Sequence, residues 1–338
     1  MELDAAALGR LSDYLAPILD GASGAVDLQA IAGGQSNPTY FLSFGGGGRY
    51  VLRKQPPGPL LPSAHAIDRE YKVQSALEGT GVPVARMYHY AMDREVIGTP
   101  FYIMERLEGR VFHDNALPGV SKDDRALMFD DMNATLARLH ALDPAAIGLG
   151  DFGRPEGFFA RQIARWTKQY EASRRAPVPA LEALLAWLAE KIPPGQAVSI
   201  VHGDYRLGNL MFHATEPRVI GILDWELATL GHPLADLGYN SMVWFNVPSE
   251  YQGLKGLDFG ALGIPAHADY VAAYLRRSGV TEPFLPFHIA FSYFRLAVIF
   301  EGVAARAAQG NAVDERAGEF GIFSIIFAER GLVLAGVS

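Results

Sequence analysis

Residues 199–212 read SIVHGDYRLGNLMF, where His202, Asp204, Arg206 and Asn209 lie between two apolar runs. Apolar flanks predict burial, and burial of an unpaired charge is costly in free energy. These polar groups must therefore either satisfy one another or meet a charged ligand. This requirement limits the chain to folds that hold several polar side chains in a buried loop.

A second segment, VIGILDWELATLGHPLADLGY, spans residues 219–239 and places Asp224 at the end of an apolar run. Together the two segments give the pattern H-x-D-x-x-x-x-N followed by a strand that ends in Asp, which suits phosphoryl transfer. In that chemistry Asp204 accepts a hydroxyl proton, while Asn209 and Asp224 offer the oxygen ligands that Mg²⁺ prefers. A merely structural polar network, and a metal hydrolase built on His202, Asp204 and Asp224, are the alternatives.

Composition narrows the class of protein. The chain has 338 residues, of which 49% are hydrophobic and 20% charged, so we expect a soluble protein of two lobes. It has no cysteine, which excludes disulfides, thiolate catalysis and cysteine-bound metals. The net charge of −8 without a dense basic run argues against nucleic acid as a partner. We expect no membrane span and no secretory signal, and therefore a cytoplasmic location.

The pattern of residues changes along the chain. The first hundred residues predict a strand-rich region with one helix, over 65–82, and GGGG at 45–48 predicts a hairpin turn. After Gly109 the apolar spacing predicts long helices, interrupted by a short strand-like block at 198–224. The chain is again helical from about 266 to 334. We therefore expect a small β-rich lobe followed by a larger helical lobe.

VHGDYRLGNLMF together with GILDWELATLGHPLADLGY resembles the aminoglycoside phosphotransferase/choline kinase-like family, a branch of the protein-kinase-like fold. GGQSNPTYFL, YVLRKQPPG and FYIMERLEGR are typical of the branch related to the kinase-like domain fused to acyl-CoA dehydrogenases in animals. The resemblance covers nearly the whole chain. It implies an α+β, bilobal protein-kinase-like fold, with a β-rich nucleotide-binding lobe at 1–107. A helical lobe with the catalytic loop and the acceptor site would occupy 108–338.

The resemblance also assigns roles to residues of the catalytic loop. Asp204 matches the catalytic aspartate of the family, and Asn209 and Asp224 match its magnesium ligands. Arg206 lies two residues after Asp204, where protein kinases often carry a lysine that steadies the transferred phosphate. His202 matches a position that holds the catalytic loop in shape, and so does Asp236.

The resemblance implies a nucleotide site in the first lobe. The cation on the third strand of the family matches Arg53, with Lys54 as the second candidate. Glu70 matches the ion-pair partner of that cation. Strand alternation puts Arg53 and Lys54 on opposite faces, so only one of them can reach the phosphates. The loop expected to cover the phosphates through its N–H groups comprises Gly33, Gly34, Gln35, Ser36 and Asn37. The connector expected to bind adenine includes Met104, Glu105 and Leu107.

The resulting hypothesis is an ATP-dependent small-molecule O-phosphotransferase that uses Mg²⁺, with GTP as the alternative nucleotide. We expect a hydroxylated acceptor of the hydroxyacyl-CoA type, in a context of acyl-CoA metabolism, because the region 225–260 mixes acidic with many apolar and aromatic residues. The alternatives are an aminoglycoside-type antibiotic kinase and a catalytically silent nucleotide-binding pseudokinase module. A silent module usually lacks a metal ligand or the catalytic aspartate, and neither is missing here.

Overall fold

The computed structural model describes residues 3–31, 37–56, 66–308 and 321–337. Among these residues, the strands are β1 (Val26–Ala30), β2 (Thr39–Phe44), β3 (Arg49–Lys54), β4 (Met87–Ala91), β5 (Phe101–Glu105), β6 (Gly109–Val111), β7 (Ser199–Val201), β8 (Leu210–His213), β9 (Val219–Ile222) and β10 (Thr229–Gly231). The α-helices are α1 (Ala5–Leu15), α2 (Ile67–Leu77), α3 (Lys122–His140), α4 (Phe158–Ser173), α5 (Pro179–Glu190), α6 (Leu234–Ser241), α7 (Phe259–Leu262), α8 (His267–Ser278), α9 (Pro286–Ala308) and α10 (Gly321–Ala335).

The first lobe is built on an antiparallel sheet in the order β1-β2-β3-β5-β4. The glycine run at 45–48 forms the turn between β2 and β3, which confirms the predicted hairpin. Gly47 has a φ of 94° there, a conformation that glycine adopts without steric cost. The sheet ends at Glu105 and β6 begins at Gly109. The lobe boundary at 107/108 stays a prediction.

A helix that the sequence pattern did not predict precedes the sheet. α1 begins after Asp4, whose carboxylate accepts a hydrogen bond of 2.7 Å from the N–H of Ala7 and caps the helix. Leu11 and Leu15 are fully buried in the same cluster as Leu42. The prediction of a single helix in the first hundred residues was therefore wrong. The three buried residues of α1 recur every fourth residue, but only Leu11 and Leu15 have large apolar side chains, which makes the helical signal weak.

The second lobe is helical around short strands. Met128, Met132, Leu136 and Leu139 of α3 are buried, as the apolar spacing predicted. The predicted face of α5 is also inside, with Leu181, Leu184 and Leu188 fully buried and Leu185 partly buried against the core. The predicted strand block comprises β7, β8 and β9; β6 pairs with β8, and β7 pairs with β10. The observed architecture is the predicted α+β, kinase-like one.

The long apolar helix α9 lies at the centre of this lobe. Of the described residues, only this 23-residue helix is long and apolar enough to cross a membrane. Most of that apolar stretch is instead buried within the protein, against α4, α5, α6 and α10. Burial on several sides explains why the helix is apolar nearly all round. Arg295 interrupts the apolar sequence.

Three histidines lie in an aromatic part of the core. The rings of His232 and His288 stack at 5.9 Å between centroids, and Phe284 stacks on His288 at 5.4 Å. Burial, together with the nearby His232, lowers the pKa of His288 to about 3. Burial also lowers the pKa of His267 to about 4. These side chains are therefore neutral in the folded protein at neutral pH.

We expect His288→Asn to reduce the loss of stability on acidification. His288 has a lower pKa folded than its ordinary value of about 6.5, so it stabilises the fold above pH 6.5 and this contribution falls as pH drops toward 3. Between pH 7 and pH 5 the single group accounts for about 2 kcal/mol of that loss. Urea unfolding of the wild type and of the variant at both pH values measures this loss of stability. Equal losses in both proteins would contradict the assignment. The variant retains a δ-position acceptor for the N–H of Leu285.

Candidate active site

The shape of the loop after β7 depends on the buried carboxylate of Asp236, on α6. It accepts hydrogen bonds from the N–H groups of His202, at 2.7 Å, and Gly203, at 2.8 Å. His140 on α3 places its Nε2 3.2 Å from the same carboxylate and its Nδ1 2.6 Å from the hydroxyl of Tyr274. Burial favours the neutral acid, but these neighbours outweigh it and lower the pKa of Asp236. Asp236 is thus an internal anchor for the loop.

His202 connects the two polar motifs. Its Nε2 lies 2.9 Å from the carbonyl oxygen of Leu223, while its Nδ1 accepts a hydrogen bond of 3.2 Å from the N–H of Asp204. These partners require the neutral tautomer with the proton on Nε2. The ring is fully buried and lies 4.7 Å from Trp225 between ring centroids. His202 therefore occupies a structural position, as the resemblance implied.

Asp204 lies at the centre of a small hydrogen-bonded group. The side-chain amide nitrogen of Asn209 lies 2.7 Å from Oδ2 of Asp204 and 2.9 Å from its carbonyl oxygen. Both partners are acceptors, so the amide nitrogen must face them, and Oδ1 of Asn209 is the atom that can bind a cation. The Nε of Arg206 lies 3.3 Å from Oδ2 of Asp204. Burial lowers the pKa of Arg206, but Asp204 together with Tyr251 and Tyr239 outweighs burial, and the pKa is raised.

Asp224 stands beside this group. The N–H of Leu223 donates to the carbonyl oxygen of Asn209 at 2.8 Å, which brings the end of β9 against the catalytic loop. Asp224 has a φ of 64°, an uncommon conformation for a residue with a side chain that Asp tolerates better than most. Its side chain is 40% exposed and accepts a hydrogen bond of 3.1 Å from Arg53. Strained backbone of this kind concentrates at functional sites.

Arg53 joins the two lobes. Its Nε lies 2.8 Å from Oε2 of Glu70, without the alignment of a hydrogen bond, and its Nη2 lies 3.1 Å from Asp224. Burial lowers the pKa of Arg53, but Glu70, Tyr102 and Asp224 together raise it above its ordinary value. Glu70 is buried and also accepts hydrogen bonds from Asn37, at 2.5 Å, and from the hydroxyl of Tyr102, at 3.0 Å. This network aims one guanidinium into the cleft.

Lys54, the second candidate for the phosphate cation, points away from this network. It follows Arg53 on β3, and strand alternation places its side chain on the other face of the sheet. Lys54 is buried, and burial lowers its pKa. Of the two candidates, the geometry presents Arg53 to the cleft.

Several predicted nucleotide contacts have a definite place in the structure. Asn37 is fully buried and holds Glu70, so its amide acts on the ion pair, and a direct contact with phosphate stays a prediction. Met104 and Glu105 lie on β5, and Leu107 follows it and packs against the cluster that contains Met104. The N–H of Glu105 donates to the carbonyl oxygen of Arg86 at 2.8 Å. The remaining predicted residues lie outside the described ones: Gly33, Gly34, Gln35 and Ser36.

Three residues that the sequence analysis did not assign belong to the site. His140 supports Asp236, and Arg295 donates to the carbonyl oxygen of Gly203. Tyr239 lies under the guanidinium of Arg295, and burial followed by the charge of Asp204 raises its pKa. Arg295 could have been identified from the sequence because it is a lone arginine in an apolar helical segment. Nothing in the local sequence marks His140.

The donor set fits magnesium. Among the described residues there is no group of three or more His, Asp or Glu side chains that could hold a metal ion by itself. Mg²⁺ is usually bound by one or two protein oxygens together with water and substrate phosphates. Asn209 and Asp224 provide such a pair. The phosphates of a nucleotide would complete the coordination of Mg²⁺, so a magnesium site here needs no larger cluster of protein ligands.

A two-lobed kinase-like fold with an Asp–Asn–Asp arrangement in its cleft defines a protein-kinase-like phosphotransferase. The sequence profile of the phosphotransferase enzyme family (APH) matches residues 27–283, more than half of the chain, and the chain belongs to this family. The crystal structure of a candidate aminoglycoside phosphotransferase from Ralstonia eutropha is 44% identical, with 99% of each chain covered and a TM-score of 0.89. Spectinomycin phosphotransferase, solved with ADP and spectinomycin, has a TM-score of 0.62 at 12% identity over 97% of this chain and 98% of that one, and shares the fold.

Longer relatives carry a similar segment. Acyl-CoA dehydrogenase family member 11 of Gallus gallus is 42% identical over 97% of this chain and 43% of its own length. The Homo sapiens protein of the same name is 42% identical over 89% of this chain and 39% of its own length. The chain thus spans less than half the length of these relatives. The predicted family, branch and fold are confirmed, and so is the enzyme class, an ATP-dependent phosphotransferase with an alcohol group as acceptor.

We expect Arg53→Met to raise the KM for ATP by about tenfold or more, because a charge-assisted contact with phosphate is lost. Lys54→Met is the matched control, since it removes the neighbouring cation from the opposite face of β3. It should leave that KM within about twofold. Steady-state ADP release at varied ATP measures both. A larger effect at Lys54, in a variant that unfolds at the wild-type temperature, would reverse the assignment.

Proposed function

We propose that this protein transfers the γ-phosphoryl group of ATP to a hydroxyl group of a small molecule, with Mg²⁺ held by Asn209 and Asp224. The observation that carries the proposal is the pair of bonds that ties the two motifs together. His202 and Asn209 both hydrogen-bond to the backbone of Leu223, at 2.9 and 2.8 Å. These bonds place Asp224 next to the group formed by Asn209 and Asp204.

In the proposed reaction the acceptor oxygen attacks the γ-phosphorus while the bond from that phosphorus to the ADP oxygen breaks. Asp204 orients the hydroxyl and receives its proton. Arg206 and Arg53 stabilise negative charge on the transferred and remaining phosphates. Bound Mg²⁺ would neutralise phosphate charge during the transfer. The hydrogen bonds of Asp204 to Asn209 and Arg206 fix its carboxylate before substrate arrives.

For the acceptor we propose a hydroxyacyl-CoA-type molecule, and two observations support it. The longer relatives carry acyl-CoA dehydrogenase names. In addition, most of the acidic groups that a polycationic antibiotic would need are already engaged. Asp236 anchors the catalytic loop, Asp258 caps α7, and Glu250 pairs with Arg330 at 2.5 Å. Glu226, the fourth acid between 225 and 260, is exposed.

The first test is the release of ADP against hydroxyacyl-CoAs, choline, sugars and aminoglycosides. We expect turnover with a hydroxyacyl-CoA and a loss of at least about a thousandfold in Asp204→Asn, equivalent to ~4 kcal/mol of barrier. Asp269→Asn, on the exposed start of α8, is the matched control and should retain the wild-type rate.

Each other outcome has a defined meaning. Turnover with aminoglycosides alone would replace the proposed acceptor with the antibiotic class that the name of the Ralstonia protein suggests. Magnesium-dependent ATP binding without turnover on any acceptor would favour a silent nucleotide-binding module. An Asp204→Asn variant with the wild-type rate would refute the catalytic role of Asp204.

A further inference from the structure

A cavity of about 340 Å³ adjoins the catalytic loop, which we call the Trp166 pocket. Gly203, the residue before Asp204, lies in its wall, and so does Leu227 beyond Asp224. Phe158 and Trp166 of α4 and Phe291 of α9 add aromatic rings to the wall. Arg165 of α4 and Arg295 of α9 also line it.

Arg295 is held in this pocket by neutral groups. Its guanidinium lies 5.0 Å from the ring centroid of Tyr239 and 5.7 Å from that of Trp166, and it donates to the carbonyl oxygen of Gly203. Its buried Nε has no hydrogen-bond partner in the described part of the chain, and neither has the Nε1 of Trp166. Both nitrogens are closed to solvent beneath the pocket wall, so they add positive character beside the cavity without reaching a ligand themselves.

The charge of the pocket is positive, although the chain as a whole carries −8. Arg165 is exposed and lies 5.8 Å from the ring centroid of Trp166, and Arg69 donates to the neutral carbonyl groups of Phe152 and Ala228. Two carboxylates also line the pocket. The carboxylate oxygens of Asp236 accept hydrogen bonds from the N–H groups of His202 and Gly203 and contact Nε2 of His140. The other carboxylate, Glu226, is exposed. Three guanidinium groups therefore line the pocket with two carboxylates.

We infer that the Trp166 pocket binds an oxyanion of the acceptor, a carboxylate or a phosphate, through Arg165 and Arg295. This inference rests on the proposed phosphotransferase function, because it identifies the charge of the molecule that Asp204 activates. Arginine pairs well with planar carboxylates and with phosphates. Phe291 and Leu227 offer apolar surface to an alkyl chain. Gly203 in the pocket wall directly precedes Asp204 in the chain, so an acceptor anchored here lies beside the catalytic loop.

The test uses three probes that share a hydroxyoctanoyl chain: the CoA thioester, the free acid and the uncharged amide. Calorimetric titration without ATP measures their binding to wild type, Arg165→Glu, Arg165→Lys and Arg276→Glu. Arg276 is exposed on α8, outside the residues that line the pocket, and gives the same change of charge. Arg165→Glu should raise the Kd of at least one anionic probe by about tenfold or more and leave the amide unchanged. Arg165→Lys should restore most of the affinity.

The two anionic probes separate the sources of the oxyanion. An effect on the thioester alone assigns the pocket to a CoA phosphate, and an effect on the free acid assigns it to a carboxylate. Equal effects of Arg165→Glu and Arg276→Glu, equal weakening of all three probes, or no binding of any probe would overturn the inference. ADP release with the same probes tests the proposed function separately. Charge-selective binding without turnover would support the oxyanion site in the Trp166 pocket and contradict the proposed phosphoryl transfer.

Discussion

The catalytic loop depends on one buried carboxylate. Removing an ionised carboxylate from water costs several kcal/mol, and Asp236 offsets this cost by accepting from two backbone N–H groups and His140. Both N–H groups belong to the loop that begins the motif, so the same bonds that satisfy Asp236 determine the backbone conformation before Asp204. The apolar flanks noted in the sequence are compatible with these charges because each charge has a partner inside the protein. The loop is therefore rigid before any ligand binds, as electrostatic preorganisation requires.

A chain of hydrogen bonds and ion pairs continues from the loop that Asp236 anchors across the cleft. His202 bonds to Leu223, the neighbouring Asp224 receives Arg53, and Arg53 is held by Glu70 in the other lobe. Arg53 of the first lobe and Asp224 of the second, the proposed metal ligand, are thus in direct contact. A shift of one lobe relative to the other alters both the phosphate contact and the metal contact at once. The buried network around Glu70 limits such a shift to what Arg53 can follow.

The spacing of Asp204, Asn209 and Asp224 marked them as candidate site residues in the sequence because each lies in or directly after a short motif whose geometry is local. The α+β plan followed from the change from strand to helix patterns. What escaped prediction depends on distant contacts. Asn37 bonds to Glu70 over 33 residues, and Arg295 to Gly203 over 92. His140 contacts Asp236 over 96 residues, within a helix whose pattern only signals a buried face.

Arg295 shows why net charge is a poor guide to the site. An arginine in a largely buried helix is costly in free energy unless neighbouring groups compensate its charge. Here the compensation comes from the faces of Trp166 and Tyr239 and from one carbonyl oxygen, and no carboxylate among the described residues forms an ion pair with it. A structural role alone would be served better by an apolar residue or by a paired charge. A positive charge left without a counter-charge beside the catalytic loop instead favours a ligand that supplies the negative one.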